Sequence, residues 1–138
     1  MFERVLIGID LSPSTDALLA ALPRMRDAGV GSLTLAHVIP VSYVNFAGVS
    51  HEDRHRAALE EKGRDVQAMG FACDTVLRVG DPAVELLAIA EEIGATLLVM
   101  GSRGQNRLEE FFLGSVATQV LRHATLPVLV TPIGRDVA

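Results

Sequence analysis

Apolar residues gather in four segments of the chain, Val5-Leu6-Ile7-Gly8-Ile9, Leu33 to Ile39, Thr96 to Met100 and Val128-Leu129-Val130, and none of them alternates regularly with polar residues. A strand with one wet face shows such alternation, so these runs predict strands covered on both faces, as in a parallel sheet. Asp74 to Val79 differs, because Asp74, Thr75 and Arg78 interrupt its apolar residues. It reads as an edge strand.

Between these runs the apolar spacing turns helical. The first helix is predicted to open near Pro13 behind Ser12 as N-cap, to carry Leu18, Leu19, Leu22 and Met25, and to end at Gly29. The second runs from about Ser50 to Met69, with Ala57, Leu59, Val66 and Met69 set against a strongly charged face. The third follows Gly80-Asp81-Pro82, an acidic cap with proline in the first turn, and carries Val84, Leu87, Ile89 and Ile93 before Gly94. The fourth opens at Gly114-Ser115 and carries Val116, Val120 and Leu121 before Pro127. No repeat, low-complexity segment or linker interrupts this β-α-β-α-β-α-β-α-β order. It predicts a single α/β domain over residues 1–138, an open doubly wound sheet with right-handed crossovers. Such sheets take ligands beyond the carboxyl ends of their strands, where the strand order reverses.

Composition narrows what that ligand is. The 138 residues suffice for one core, at 49% hydrophobic and 21% charged. A net charge of −5 argues against general nucleic-acid affinity, which depends on Lys and Arg neutralising phosphates. The apolar runs fall well short of the ~20 residues that span a bilayer, and the start of the chain lacks a signal-peptide layout, so a cytoplasmic protein is expected. Cys73 is the only cysteine, which excludes an internal disulfide and suits a small buried hydrophobe. Lys62 is the only lysine and stands far from any glycine-rich turn, so no Walker A loop is present. Phosphate capture must rest on backbone amides and Arg.

One loop is built for that. After the fourth strand the chain reads Gly101-Ser102-Arg103-Gly104, then nine residues, then Gly114-Ser115 at a helix start. Gly101 and Gly104 admit conformations closed to other residues and let a ligand approach without a Cβ. Gly114 and Ser115 add amides and a hydroxyl at a helix N-terminus, where unpaired N–H groups favour phosphate.

The spacing Gly-x2-Gly-x9-Gly-Ser, complete here as Gly101, Gly104, Gly114 and Ser115, resembles the motif of the ATP-binding branch of the universal stress protein family. The likeness extends to Val5 through Ser12, His37-Val38-Ile39-Pro40, Gly80-Asp81-Pro82 and Leu126 through Val130. It implies a Rossmann-like five-stranded parallel sheet in the order 3-2-1-4-5 and a site for ATP, or ADP or AMP, with Mg²⁺. It implies Asp10 beside the ribose and phosphates, helping to hold the metal ion, with Pro13 lining that end. Val38 would meet adenine through its backbone. Gly101, Arg103 and Gly104 would bracket ribose and phosphates, and Gly114, Ser115 and Val116 would meet the phosphates. Arg107, Glu109 and Glu110 depart from the family pattern, and the two acids would repel a triphosphate if turned inward. The likeness also points to a homodimer through the last strand, Val128-Leu129-Val130, an apolar edge that a second copy would cover.

Other residues read more plainly. Asp10 also suits a cap on the turn before the first helix. His51 and His55 have the i, i+4 spacing of a two-ligand metal site, yet a solvated helix face accounts for both. His37 reads as a packed strand histidine, and His123 as a cation suited to a helix C-terminus. Ser12, Ser102 and Ser115 have no histidine partner of the kind acyl transfer needs. The function expected is a nucleotide-dependent regulatory protein of the stress response. Slow ATP hydrolysis, or a nucleotide-free dimeric interaction protein of the same fold, is the alternative.

Overall fold

The computed structural model describes residues 2–41, 51–102 and 114–132. Five strands, β1 (Arg4–Ile9), β2 (Ser32–Pro40), β3 (Ala72–Gly80), β4 (Leu97–Gly101) and β5 (Val128–Thr131), alternate with helices. The helices are α1 (Pro13–Ala20), the short α2 (Leu22–Met25) with a 3₁₀ turn over Arg26–Ala28, α3 (Glu52–Ala68), α4 (Pro82–Ile93) and α5 (Ser115–His123). All strand pairings are parallel, in the order β3-β2-β1-β4-β5. The three unbroken apolar runs form the middle of this sheet, and the polar-interrupted segment forms its β3 edge, as its pattern predicts.

Alternate residues of the middle strands feed two cores. Val5, Ile7, Leu33, Leu35 and Val99 face α1, α2 and α3, where Leu18, Leu19, Leu22, Leu59 and Val66 meet them. Leu6, Ala36, Val38, Leu98 and Met100 face α4 and α5, against Leu86, Ile89, Ala117 and Val120. Fully burying side chains of this size is worth about 1.5–3 kcal/mol each, so the two-sided burial fixes which residue of each strand looks which way. Two glycines let the layers close. A Cβ on Gly8 would lie 2.9 Å from Leu86 Cδ1, and one on Gly63 2.8 Å from Thr75 Cγ2. With a side chain at either position, Leu86 or Thr75 would have to move.

Two sequence expectations need correction. The first helix does not run unbroken to Gly29. It breaks at Ala21, ahead of Pro23, and resumes as a second helix and a 3₁₀ turn closed by Gly29 in the left-handed region. Val84 and Leu121 are 61% and 46% exposed, because α4 buries Ala83, Leu86, Ile89 and Ala90 and α5 buries Ala117 and Val120. Cys73 is half-buried against the α1–α3 core, and burial pushes its thiol up to about 11, as suits a packing residue. His123 sits with Arg122 in the last turn of α5, where their charge suits the helix end. Among the described residues no helix is long and apolar enough to cross a membrane.

Candidate functional site

The strand order reverses between β1 and β4, which lie side by side with Gly8 opposite Met100. Residues that follow these two strands therefore meet at one end of the sheet. Asp10 comes directly after β1, Gly101 ends β4 opposite Thr131, and Gly114 precedes α5. Val38 lies next door on β2. Its last neighbour on β1 is opposite His37, so Val38 sits one position past the β1 ladder, at the rim of the crevice. Its side chain is buried toward α4 and α5. Pro13 opens α1 on the far side of the Asp10 turn. Arg103, Gly104, Arg107, Glu109 and Glu110 lie outside the described residues.

The turn after β1 is stitched by its own side chains. Asp10 Oδ1 accepts from the Ser12 amide at 2.9 Å, the Ser12 hydroxyl at 2.6 Å and the buried Thr15 hydroxyl at 3.3 Å. The capping role read from Asp10-Leu11-Ser12 is thus present. These bonds hold Leu11 at φ 61, a left-handed conformation that costs a non-glycine residue about 1 kcal/mol or more. Strain of this kind gathers where a chain must present groups to a ligand.

The loop after β4 is tied at its stem by backbone. Ser102 donates its amide to the Thr131 carbonyl at 2.8 Å and accepts from the Gly114 amide at 2.7 Å. Both amides are therefore spent on closing the loop, a point invisible in the glycine spacing. The Gly114 carbonyl accepts from the Thr118 amide and hydroxyl, both at 2.9 Å, which starts the helix. The N-cap Gly114 has no side chain to cap α5, and the first turn carries no acidic residue. A helix cannot pair its first-turn amides internally, so those of Ser115, Val116 and Ala117 are the donors this geometry offers to an anion. Ser115 is exposed and Val116 half-buried. Gly101 ends an extended strand and is not among the described glycines with positive φ. Its contribution is the missing Cβ.

The histidines arrange themselves in a way their spacing does not announce. His37 is buried at the carboxyl end of β2, with Nδ1 2.9 Å from the Ile9 carbonyl and Nε2 2.9 Å from His55 Nδ1. Burial holds its pKa below the ordinary value, helped by the positive charge of a protonated His55; the Ile9 carbonyl and Asp10 act in the other direction. His55 thus belongs to an inner contact, whereas His51 is exposed at the α3 N-cap with φ 56. Among the described residues no three histidine, cysteine or acidic side chains gather as a metal site.

Comparison with known proteins places this arrangement among relatives. The model of the Universal stress protein family matches residues 1–132. Universal stress protein YxiE of Bacillus subtilis is 30% identical, over 94% of this chain and 99% of its own. Universal stress protein MJ0577 of Methanocaldococcus jannaschii is 26% identical, and its solved structure superposes with a TM-score of 0.81 over 100% of this chain and 99% of that one. A universal stress protein solved in complex with cAMP is 26% identical, with a TM-score of 0.67 and coverage of 94% and 96%.

Proposed function

The chain belongs to the universal stress protein family, and from that premise we propose that it is an ATP-binding regulatory member whose nucleotide lies across the crevice between β1 and β4. The observation that carries this reading is the uncapped N-terminus of α5 at the strand-order switch point. Amides of Ser115, Val116 and Ala117, with the Ser115 hydroxyl, hold the phosphates there, and the bare backbone of Gly101 lets them come close. Arg103 and Gly104 extend the cradle. Val38, past the end of the β1 ladder, offers main-chain groups to adenine, and the Asp10–Pro13 turn borders the ribose. A relative solved with cAMP supports an adenine nucleotide as the ligand class.

The described residues do not by themselves form a metal site, so Mg²⁺ in this reading comes as a companion of the phosphates. The β5 edge, with Leu129 44% exposed, suits pairing with a second copy, and a homodimer is part of the proposal.

Titration calorimetry on nucleotide-stripped protein tests the site. ATP is expected to bind the parent; Ser115→Ala, which loses the hydroxyl, is expected to weaken it roughly tenfold, about the worth of one hydrogen bond to a charged group, and Gly114→Ala, whose amide stays on the Ser102 carbonyl, to weaken it by setting a Cβ at the helix start, with circular dichroism unchanged. Equal binding by both variants and parent places the phosphates elsewhere.

A further inference from the structure

We propose that His37 and His55 form a proton-operated latch between the carboxyl end of β2 and the first turns of α3, closed while one hydrogen lies between their facing nitrogens and opened when both rings are fully protonated. The argument begins with the Ile9 carbonyl. It can only accept, so His37 Nδ1, 2.9 Å away, carries a hydrogen as long as that contact stands. His37 Nε2 then faces His55 Nδ1 at 2.9 Å. That gap holds one hydrogen and no more.

The ring planes differ by only 7° and their centroids are 5.1 Å apart. With two nitrogens at 2.9 Å, this is close to what two nearly coplanar imidazoles meeting edge to edge would give. The contact is an in-line hydrogen bond. In the neutral pair His55 Nδ1–H donates to bare His37 Nε2. A first added proton takes the outer nitrogen of His55, and the same bond becomes charge-assisted. A second must take His37 Nε2, which sets N–H against N–H and one cation against another. The latch then cannot remain shut.

The surroundings decide how far the opening spreads. From β1 the nearby charge is Asp10, which favours protonation; β3 presents apolar Leu77 in register with His37. On α3 itself His51 stands one turn before His55, Glu52 pairs with Arg56, and Lys62 is tied to Asp16 of α1 at 2.6 Å. Leu59, one turn after His55, is buried in the core, as is Val66. Opening therefore frees the start of α3 and leaves its remainder docked. Burial holds His37 below the ordinary histidine value, so the unfolded chain takes up protons first on acidification. The latch contributes fully above about pH 6.5 and is lost as pH falls below it through the depressed folded value. None of this requires a bound nucleotide.

Ring ¹⁵N spectra and amide exchange of the whole protein, followed from about pH 8 to about pH 4.5, test it. The two rings are expected to titrate as a coupled pair in two steps, with exchange at Arg56 to Ala58 rising about tenfold at the second step and β1 amides unmoved. His55→Asn is the decisive variant. Its amide donates to neutral His37 and, turned over, accepts from protonated His37, so the acid step in exchange should vanish. In His55→Ala the same amides should exchange fast at every pH. Independent titration of the two rings, an acid step kept in His55→Asn, or parent-like protection in His55→Ala would overturn the proposal.

Discussion

Helices α4 and α5 pack on the same face of the sheet, and each begins beyond the carboxyl end of a strand, yet their first turns are finished in opposite ways. At α4 the Asp81 side chain accepts from the Val84 amide at 3.0 Å, Pro82 removes another donor, and Glu85 adds negative charge. That helix brings its own anion. At α5 the N-cap is Gly114, with φ −59 and ψ 159, no side-chain cap and no acid in the first turn. The backbone entry is extended in both, so the difference is chemical rather than geometric. Capping by Asp instead of Ala is worth about 1 kcal/mol; α3 also lacks a side-chain cap, but among the described helices of eight or more residues α5 alone has no acidic residue in its first turn. In the proposed reading, an anion from outside completes the second helix.

The sharpest way to break the comparison is to give α5 the α4 solution. Gly114→Asp needs no unusual φ, and its carboxylate would take the first-turn amides. ATP affinity is expected to fall roughly 100-fold, about 2.7 kcal/mol, since a fixed negative charge displaces the phosphate from its donors. The thermal midpoint should stay level or rise slightly. Undiminished ATP binding, measured by calorimetry, would remove the α5 N-terminus from the site.

Much of the molecule can be read before it is seen folded. The unbroken runs of β1, β2 and β4 are dictated by burial on two faces, and the polar breaks at Asp74 and Arg78 by an edge position. Gly101, Gly114 and Ser115 stand out in the sequence by their spacing, and the fold sets them at the end of β4 and the start of α5; that they cradle phosphate is part of the proposal. What escapes is whatever depends on contact across the fold. The Ser102 and Gly114 amides look available in sequence, but Thr131 and Ser102 carbonyls take them. His37 and His55 are 18 residues apart, so no helical or strand period links them. Val84 and Leu121 mislead because an apolar residue type alone does not fix which helix face meets the sheet; the buried faces carry Ala83, Leu86, Ile89 and Ala90 on α4 and Ala117 and Val120 on α5.

The converse exchange removes the anion from α4. Asp81→Ala leaves the Val84 amide without its carboxylate, and the expected cost is about 1 kcal/mol of stability. For a domain of this size that lowers the midpoint by roughly 3–6 °C in a thermal melt. ATP affinity should stay unchanged, since α4 begins after β3, at the sheet edge and away from the β1–β4 crevice. A parallel loss of affinity would mean that both helix starts serve one ligand.

The turn after β1 is the intermediate case, self-stitched like α4 but placed at the crevice like α5, and Asp10→Asn asks which comparison it belongs to. Asparagine keeps an Oδ1 acceptor for Ser12 and Thr15, discards the charge and puts an NH₂ donor where the buried Oδ2 stood. If the carboxylate is chiefly a stitch, stability falls by about 1–3 kcal/mol, because neutral hydrogen bonds replace charge-assisted ones at three donors. ATP affinity then stays within about threefold of the parent, well under 1 kcal/mol. A loss of ten-fold or more at unchanged thermal midpoint would instead assign the charge itself to the ligand, through the phosphates' metal ion. Repeating the titration with and without Mg²⁺ separates the outcomes, since only a charge that meets the metal makes the variant's deficit depend on it.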